Sequence, residues 1–316
     1  MALSIRFQVE TLWQGDKGTE PHQFEYRPAR SLFVDGYGVW FTTTARGDLW
    51  VINPLHHYLI RVNLRTKQTM GFRNPLAPTF RIVGSCPIVR QSGQLAALMV
   101  AAKQPSQVVE LDRDAKVRSV FSLAEDIPFV PPVWFRLMPS RGSYFCSHRY
   151  FQLSGLVGES QLREYSMRTG ECLQTIGGVT GVALGQDGTV YVSGRSSLGV
   201  GIVYVEPPKG LDPHRWLLIG VDKLERLYWY GQEAEGRRKV SWIACGNRRG
   251  QLLWEVPLTG SKGLLASVDP DLQVRLGWGG EWIEVSSAGQ IDVFAWSDSD
   301  KVRLGVGVYR IRWESS

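Results

Sequence analysis

Five histidines and four cysteines are the residues of this chain best suited to nucleophilic or metal chemistry. His56 and His57 follow Asn53-Pro54 as neighbours. Adjacent residues on a strand face opposite ways, so the two imidazoles cannot grip one metal without a bend between them. Cys146 and His148 are two positions apart and share one face of a strand. A thiolate–imidazole nucleophile needs that closeness, but also an orienting group and an oxyanion site, and neither stands nearby. The pair therefore reads as strand packing. Gly199-Val200-Gly201 lies in strand-rich surroundings with no helix after it, so it reads as a bend and not a phosphate cradle. Direct search finds no GxxxxGK[ST], GxSxG or HExxH, no GxGxxG between strand and helix, and no EF-hand loop. Catalytic, cofactor and metal residues are accordingly expected to be none.

Charge offers a different chemistry. The net charge is +6, with 18 basic against 11 acidic residues over 1–158 and 18 against 19 over 159–316. Many cations fall in polar turns: Arg65, Lys67, Arg113, Lys116, Arg168, Lys209, Arg248 and Arg249. Asp112, Asp114, Glu171 and Asp212 dilute them. Such turns could meet an acidic protein, nucleic acid or anionic lipid; for nucleic acid, binding should weaken steeply with salt, and no RNA- or DNA-binding motif supports that reading. The run Glu233-Ala234-Glu235, Arg237-Arg238-Lys239 reads as a solvated loop.

These turns join short alternating segments. Tyr58, Ile60, Val62 and Leu64 share one face, and after Arg65-Thr66-Lys67 the chain resumes as a second strand. The same hairpin recurs around 66, 114, 169, 209, 249 and 288. A period near forty built of hairpins is the mark of radially repeated four-stranded sheets. One period, 178–220, divides into four segments, GVTGVALG, GTVYVSG, GIVYVEP and HRWLLIG. Doubly apolar segments such as LYWY (227–230) suit middle strands covered on both faces. Trp40, Trp50, Trp216, Trp242, Trp254, Trp282 and Trp296 can fill the wedges between sheets, with each indole N–H reaching water or a carbonyl.

The phrases DGTVYVSG, GDLWVIN and GQLLWEVPL resemble strands of NHL-, YVTN- and quinoprotein-type β-propellers; no WD dipeptide or Kelch double glycine repeats. The resemblance implies an all-β chain folded as a single β-propeller domain over 1–316. Seven blades are expected, or six if the ends only patch an existing sheet. The closing blade would be shared by N- and C-terminal strands, 3–9 and 302–313. Stretches 73–91 and 124–139 read as inserts. Lactonase-type propellers hold calcium with acids and Asn at strand ends. Glu25, Asp35, Asn53, Asp187, Asp222 and Glu281 would be the candidates here, although no phrase of the chain matches that family's.

The second insert joins Pro128, Pro131 and Pro132 to Phe129, Trp134 and Phe135. Stiff backbone and exposed aromatics are what interface hot spots use, though such an insert could instead fold down over a neighbouring blade. The expected function is a non-catalytic interaction platform, an adaptor subunit of a larger complex. Its candidate partner-binding residues are Phe129, Trp134, Phe135, Arg65, Arg113, Arg168, Arg248 and Arg249. A small-ligand or glycan-binding propeller and a channel-rim hydrolase of lactonase type are the alternatives. No run of eighteen apolar residues predicts a membrane span, residues 1–13 do not read as a signal peptide, and the absence of CxxC pairs fits reduced thiols. A cytoplasmic location is expected.

Overall fold

Hairpins dominate the computed structural model of the chain. It describes residues 5–16, 40–44, 47–53, 57–87, 95–101, 104–122, 134–138, 141–149, 160–185, 187–194, 199–213, 215–235, 238–274, 283–297 and 304–315. Twenty-three strands and one short 3-10 helix, Leu264–Ser267, make up these residues. The first strand, β1 (Ile5–Asp16), belongs to the last sheet. The first sheet runs β2 (Trp40–Thr43), β3 (Asp48–Asn53), β4 (Tyr58–Asn63), β5 (Thr69–Arg73), in that order. The second is β6 (Arg81–Pro87), β7 (Leu95–Ala101), β8 (Gln104–Leu111), β9 (Val117–Ser122). A six-stranded sheet follows with β10 (Trp134–Met138), β11 (Ser143–Arg149), β12 (Ser160–Ser166), β13 (Cys172–Leu184), β14 (Val190–Gly194) and β15 (Ile202–Tyr204). The fourth sheet is β16 (Trp216–Val221), β17 (Leu227–Glu235), β18 (Arg238–Gly246), β19 (Leu252–Pro257). In the fifth, β22 (Ile291–Ser297) pairs with β23 (Leu304–Ser315), which pairs with β1; β20 (Leu272–Gln273) and β21 (Ile283–Val285) share the other edge of β22. N- and C-terminal strands thus share one sheet, with Phe7 opposite Trp313.

The chain divides into two units. One comprises Met1–Lys17, Gly178–Arg275 and Trp282–Ser316; the other Gly18–Gly177 and Leu276–Glu281. The boundary falls within β13 at Gly177-Gly178, where Gly178 takes φ +72.

Burial follows strand position as expected for sheets stacked face to face. Every residue of β3 and β22 is buried, whereas the outer strand β5 is exposed at four of five positions. In the unit holding residues 18–177, Trp50, Ile52, Leu59, Leu95, Ala97, Val109 and Leu111 form one core between the first two sheets. In the other unit, Tyr191, Trp216, Leu218, Leu227 and Trp229 form another.

Three sequence expectations change. The described residues form five sheets, so seven separate blades are not seen among them. The period 178–220 is not one antiparallel blade: β15 runs parallel to β14, and β16 opens the next sheet. Parts of the stretches read as inserts are strands of the repeat, namely β6 within 73–91 and β10 within 124–139; residues 123–133 lie outside the described residues. The indole N–H groups of Trp50, Trp229, Trp242 and Trp254 find no acceptor among the described residues.

Candidate interaction surface

The hairpin tips share one backbone design. In an antiparallel meander, the turns joining strands one and two and strands three and four emerge at the same end of that sheet. Each begins with a residue whose side chain accepts backbone N–H groups from inside the turn: Asn63 from Arg65 and Thr66, Asp112 from Asp114 and Lys116, Ser166 from Arg168 and Thr169, Asp222 from Leu224 and Arg226, Asn247 from Arg249 and Gln251. Short polar side chains do this because they mimic a backbone turn. Each tip then closes through one residue at positive φ, which glycine adopts without cost. Gly170 and Gly250 fill it in two of the five; Lys67, Ala115 and Glu225 fill it in the other three.

In the unit of residues 18–177, Arg113 Nε and Nη2 donate to the two oxygens of buried Asp48 at 3.0 and 3.2 Å. Arg61 donates to the Arg113 carbonyl, and Arg118 pairs with Asp112 at 2.6 Å. Burial pushes the Asp112 carboxyl up, but the Lys116 and Asp114 N–H groups and Arg118 bring it below its ordinary value. Arg65 and Arg168 are exposed, with no acid partner among the described residues.

The other unit ties its tips together more tightly. Asp222 is 2% exposed and both its oxygens are committed: Oδ1 accepts the Leu224 and Arg226 N–H groups, and Oδ2 accepts Arg226 Nε at 2.6 Å and the Tyr228 hydroxyl at 2.9 Å. The Arg226 guanidinium lies 4.4 Å from the Trp313 ring centroid, and Trp313 donates to the Gly289 carbonyl. Burial drives the Tyr228 hydroxyl far above its ordinary range, and pushes the neighbouring Cys245 thiol up to about 12. Next to this anchor, Arg248 Nη1 stands 2.8 Å from each Glu225 carboxylate oxygen and lies over the Tyr191 ring. The hydrogen bond to Glu225 raises Arg248 further above its already high value. Asp187 is held below the ordinary carboxylate range by the Thr189 hydroxyl and N–H, helped by Arg248. A backbone bond from Lys223 N–H to the Ser287 carbonyl, 2.9 Å, joins a third tip.

No family model matches the chain, and no curated protein matches it. Among solved structures it resembles the PQQ-bound aldose sugar dehydrogenase of Streptomyces coelicolor, with 13% identity over 98% of this chain and 99% of that one and a TM-score of 0.55. The calcium-binding protein regucalcin of Agrobacterium tumefaciens is 13% identical over 89% of this chain and 92% of that one, with a TM-score of 0.50. The arrangement is that of a β-propeller. At these identities the likeness is one of fold, and a propeller hosts many unrelated functions.

Of the predicted partner-binding residues, Arg65, Arg168 and Arg249 stand exposed at propeller hairpin tips, while Arg113 and Arg248 are engaged with Asp48 and Glu225. Trp134 and Phe135 belong to β10; their side chains, and Phe129 entirely, lie outside the described residues. The calcium candidates do not assemble among the described residues: Asp222 is consumed, Asp187 is bound by Thr189, and Glu25, Asp35 and Glu281 lie outside them. His57 sits at positive φ before β4, and His56 lies outside the described residues. Cys146 is fully buried on β11, and nothing is described of the His148 side chain. Sequence reasoning missed Glu225 and Leu224. The signal available was a non-glycine residue at the closing position of an Asp-x-x-x turn. No helix among the described residues is long and apolar enough to cross a membrane.

Proposed function

We propose that the chain is a non-catalytic interaction platform, an adaptor subunit that meets protein partners through its hairpin tips. One observation carries this reading: four acids at the tips are bound to arginines while cations at other tips are left over, with Asp114 and Glu171 the exposed acids among them. Asp48, Asp112, Asp222 and Glu225 are each bound to arginines, whereas Arg65, Arg168 and Arg249 extend from rigidly capped turns with no acid partner among the described residues. Guanidinium groups already free of internal carboxylates suit bidentate capture of a partner's carboxylates. Phe129, Trp134 and Phe135 are proposed as a second docking element.

Native purification of the chain with mass photometry of the eluate tests this. Assemblies well above 35.5 kDa with stoichiometric companions are expected. The triple variant Arg65→Glu, Arg168→Glu, Arg249→Glu should release an acidic companion, and most strongly at low salt, where exposed charges act furthest. A bare monomer would overturn the reading.

A further inference from the structure

Leu224 is the least expected residue on the tips. It occupies the centre of the turn between β16 and β17, a place where Gly, Asn, Asp and Ser dominate, and it is 64% exposed. Its backbone is nevertheless fixed from several sides. Leu224 N–H is bound by buried Asp222, whose other oxygen is locked by Arg226 and Tyr228. The next residue, Glu225, accepts positive φ and holds Arg248, and the preceding Lys223 N–H is held by the Ser287 carbonyl. The result is an apolar side chain carried on a tip that its own buried aspartate and two neighbouring turns hold in place.

Cations outnumber acids around it, with exposed Asp187 close enough to Arg248 to feel its charge. Lys223 adjoins it, Arg249 follows the Arg248 that Glu225 holds, and Lys209 is brought to the same turn by its N–H bond to the Gly250 carbonyl. Lys209, Lys223 and Arg249 are exposed and have no acid partner among the described residues. The Glu225 carboxylate, which would otherwise offset them, is taken by Arg248.

We infer that Leu224 is the anchor of a docking site for a protein partner that presents an apolar pocket rimmed by carboxylates. A rigid apolar group needs little ordering on binding, which is how a single residue becomes a hot spot, and the flanking cations select an acidic rim. Membrane attachment draws on many cations and several inserted apolar groups, and one leucine with three uncommitted cations falls short of that. The inference rests on the platform reading and names its partner chemistry.

The test places the photo-crosslinking residue benzoylphenylalanine at position 224 in the full chain, with the same probe at exposed Leu173 as a control. Adducts are identified in the natively purified complex. The expected result is a 224 adduct to a companion protein, within a peptide containing Asp or Glu and apolar residues, and none from 173. Leu224→Asp should weaken the companion about thirty-fold or more at any salt. The pair Lys223→Glu, Arg249→Glu should weaken it about tenfold at low salt and less at high salt. Unchanged melting curves guard against misfolding, and both variants alter only exposed side chains.

An intact complex that ignores Leu224→Asp and gives no 224 adduct would overturn this site while leaving the platform reading standing. A bare monomer would overturn both. A 224 adduct to RNA, or Leu224-dependent sedimentation with phosphatidylserine–phosphatidylcholine vesicles, would overturn the protein-partner assignment.

Discussion

Two tips of the molecule use the same turn for opposite purposes. Asp112-Arg113-Asp114-Ala115 and Asp222-Lys223-Leu224-Glu225 each begin with an aspartate that binds N–H groups two and four residues on, and each closes with a non-glycine residue at φ 57. At the first, the closing methyl of Ala115 enters the core beside Trp50 and Ile52, and the exposed centre is Asp114. At the second, the closing side chain points away and holds Arg248, and the exposed centre is Leu224. A residue other than glycine at positive φ costs on the order of 1–3 kcal/mol, so it persists only where the side chain repays it. Ala115 repays it by sealing a core. Glu225 repays it by fixing a tip.

Removing the two capping aspartates separates these roles most sharply. Asp222→Ala leaves Arg226 and the Tyr228 hydroxyl without their buried partner and should cost roughly 3–5 kcal/mol, read by chemical denaturation. Asp112→Ala loses two backbone bonds and a pair with a largely exposed arginine, about 1 kcal/mol. Iodoacetamide gives a second readout. Cys245 is buried and its thiol sits at about 12, so it should stay unlabelled in the wild type and in Asp112→Ala, and react in Asp222→Ala. Labelling of Cys245 in the wild type would show that the anchor is open already.

Exchanging the closing residues should have a smaller effect. Ala115→Glu forces a carboxylate toward Trp50 and should cost roughly 2–3 kcal/mol. Glu225→Ala loses a half-exposed ion pair and should stay within about 1 kcal/mol of wild type, while loosening the Leu224 tip. Equal costs would mean that the two turns are interchangeable.

Acid should have the smallest effect, and Asp112 is one of the carboxyls through which it acts. Its carboxyl lies below the ordinary 3.8 in the folded protein, so its contribution is complete above that value and is lost as pH falls through the lowered one. Stability followed below pH 4 should decline less steeply in Asp112→Ala than in the wild type. Parallel curves would show that other carboxylates govern acid unfolding.

Much of this architecture was legible because its determinants are local. Alternation marks strands such as Tyr58–Asn63, polar and basic turns between alternating segments mark the tips, and LYWY marks a strand buried on both faces. The exposed cations Arg65, Arg168 and Arg249 followed from the same signal. The parallel pairing of β15 was not legible, because three apolar residues after a glycine bend carry no mark of direction. Nor was the strand character of Arg81–Pro87 and Trp134–Met138, whose proline-rich surroundings resemble loop.

The sequence alone determined that the chain is all-β, built of hairpins with polar, mostly basic tips, since period and turn chemistry are properties of neighbouring residues. Tertiary structure decided which cations remain free. Arg113 meets Asp48 across 65 positions and Arg248 meets Glu225 across 23, pairings that exist only because apolar sheet faces pack and bring distant turns to one edge. It also turned Leu224 outward on a fixed tip. A leucine in a linear sequence carries no sign of exposure until the residues around it have chosen their partners.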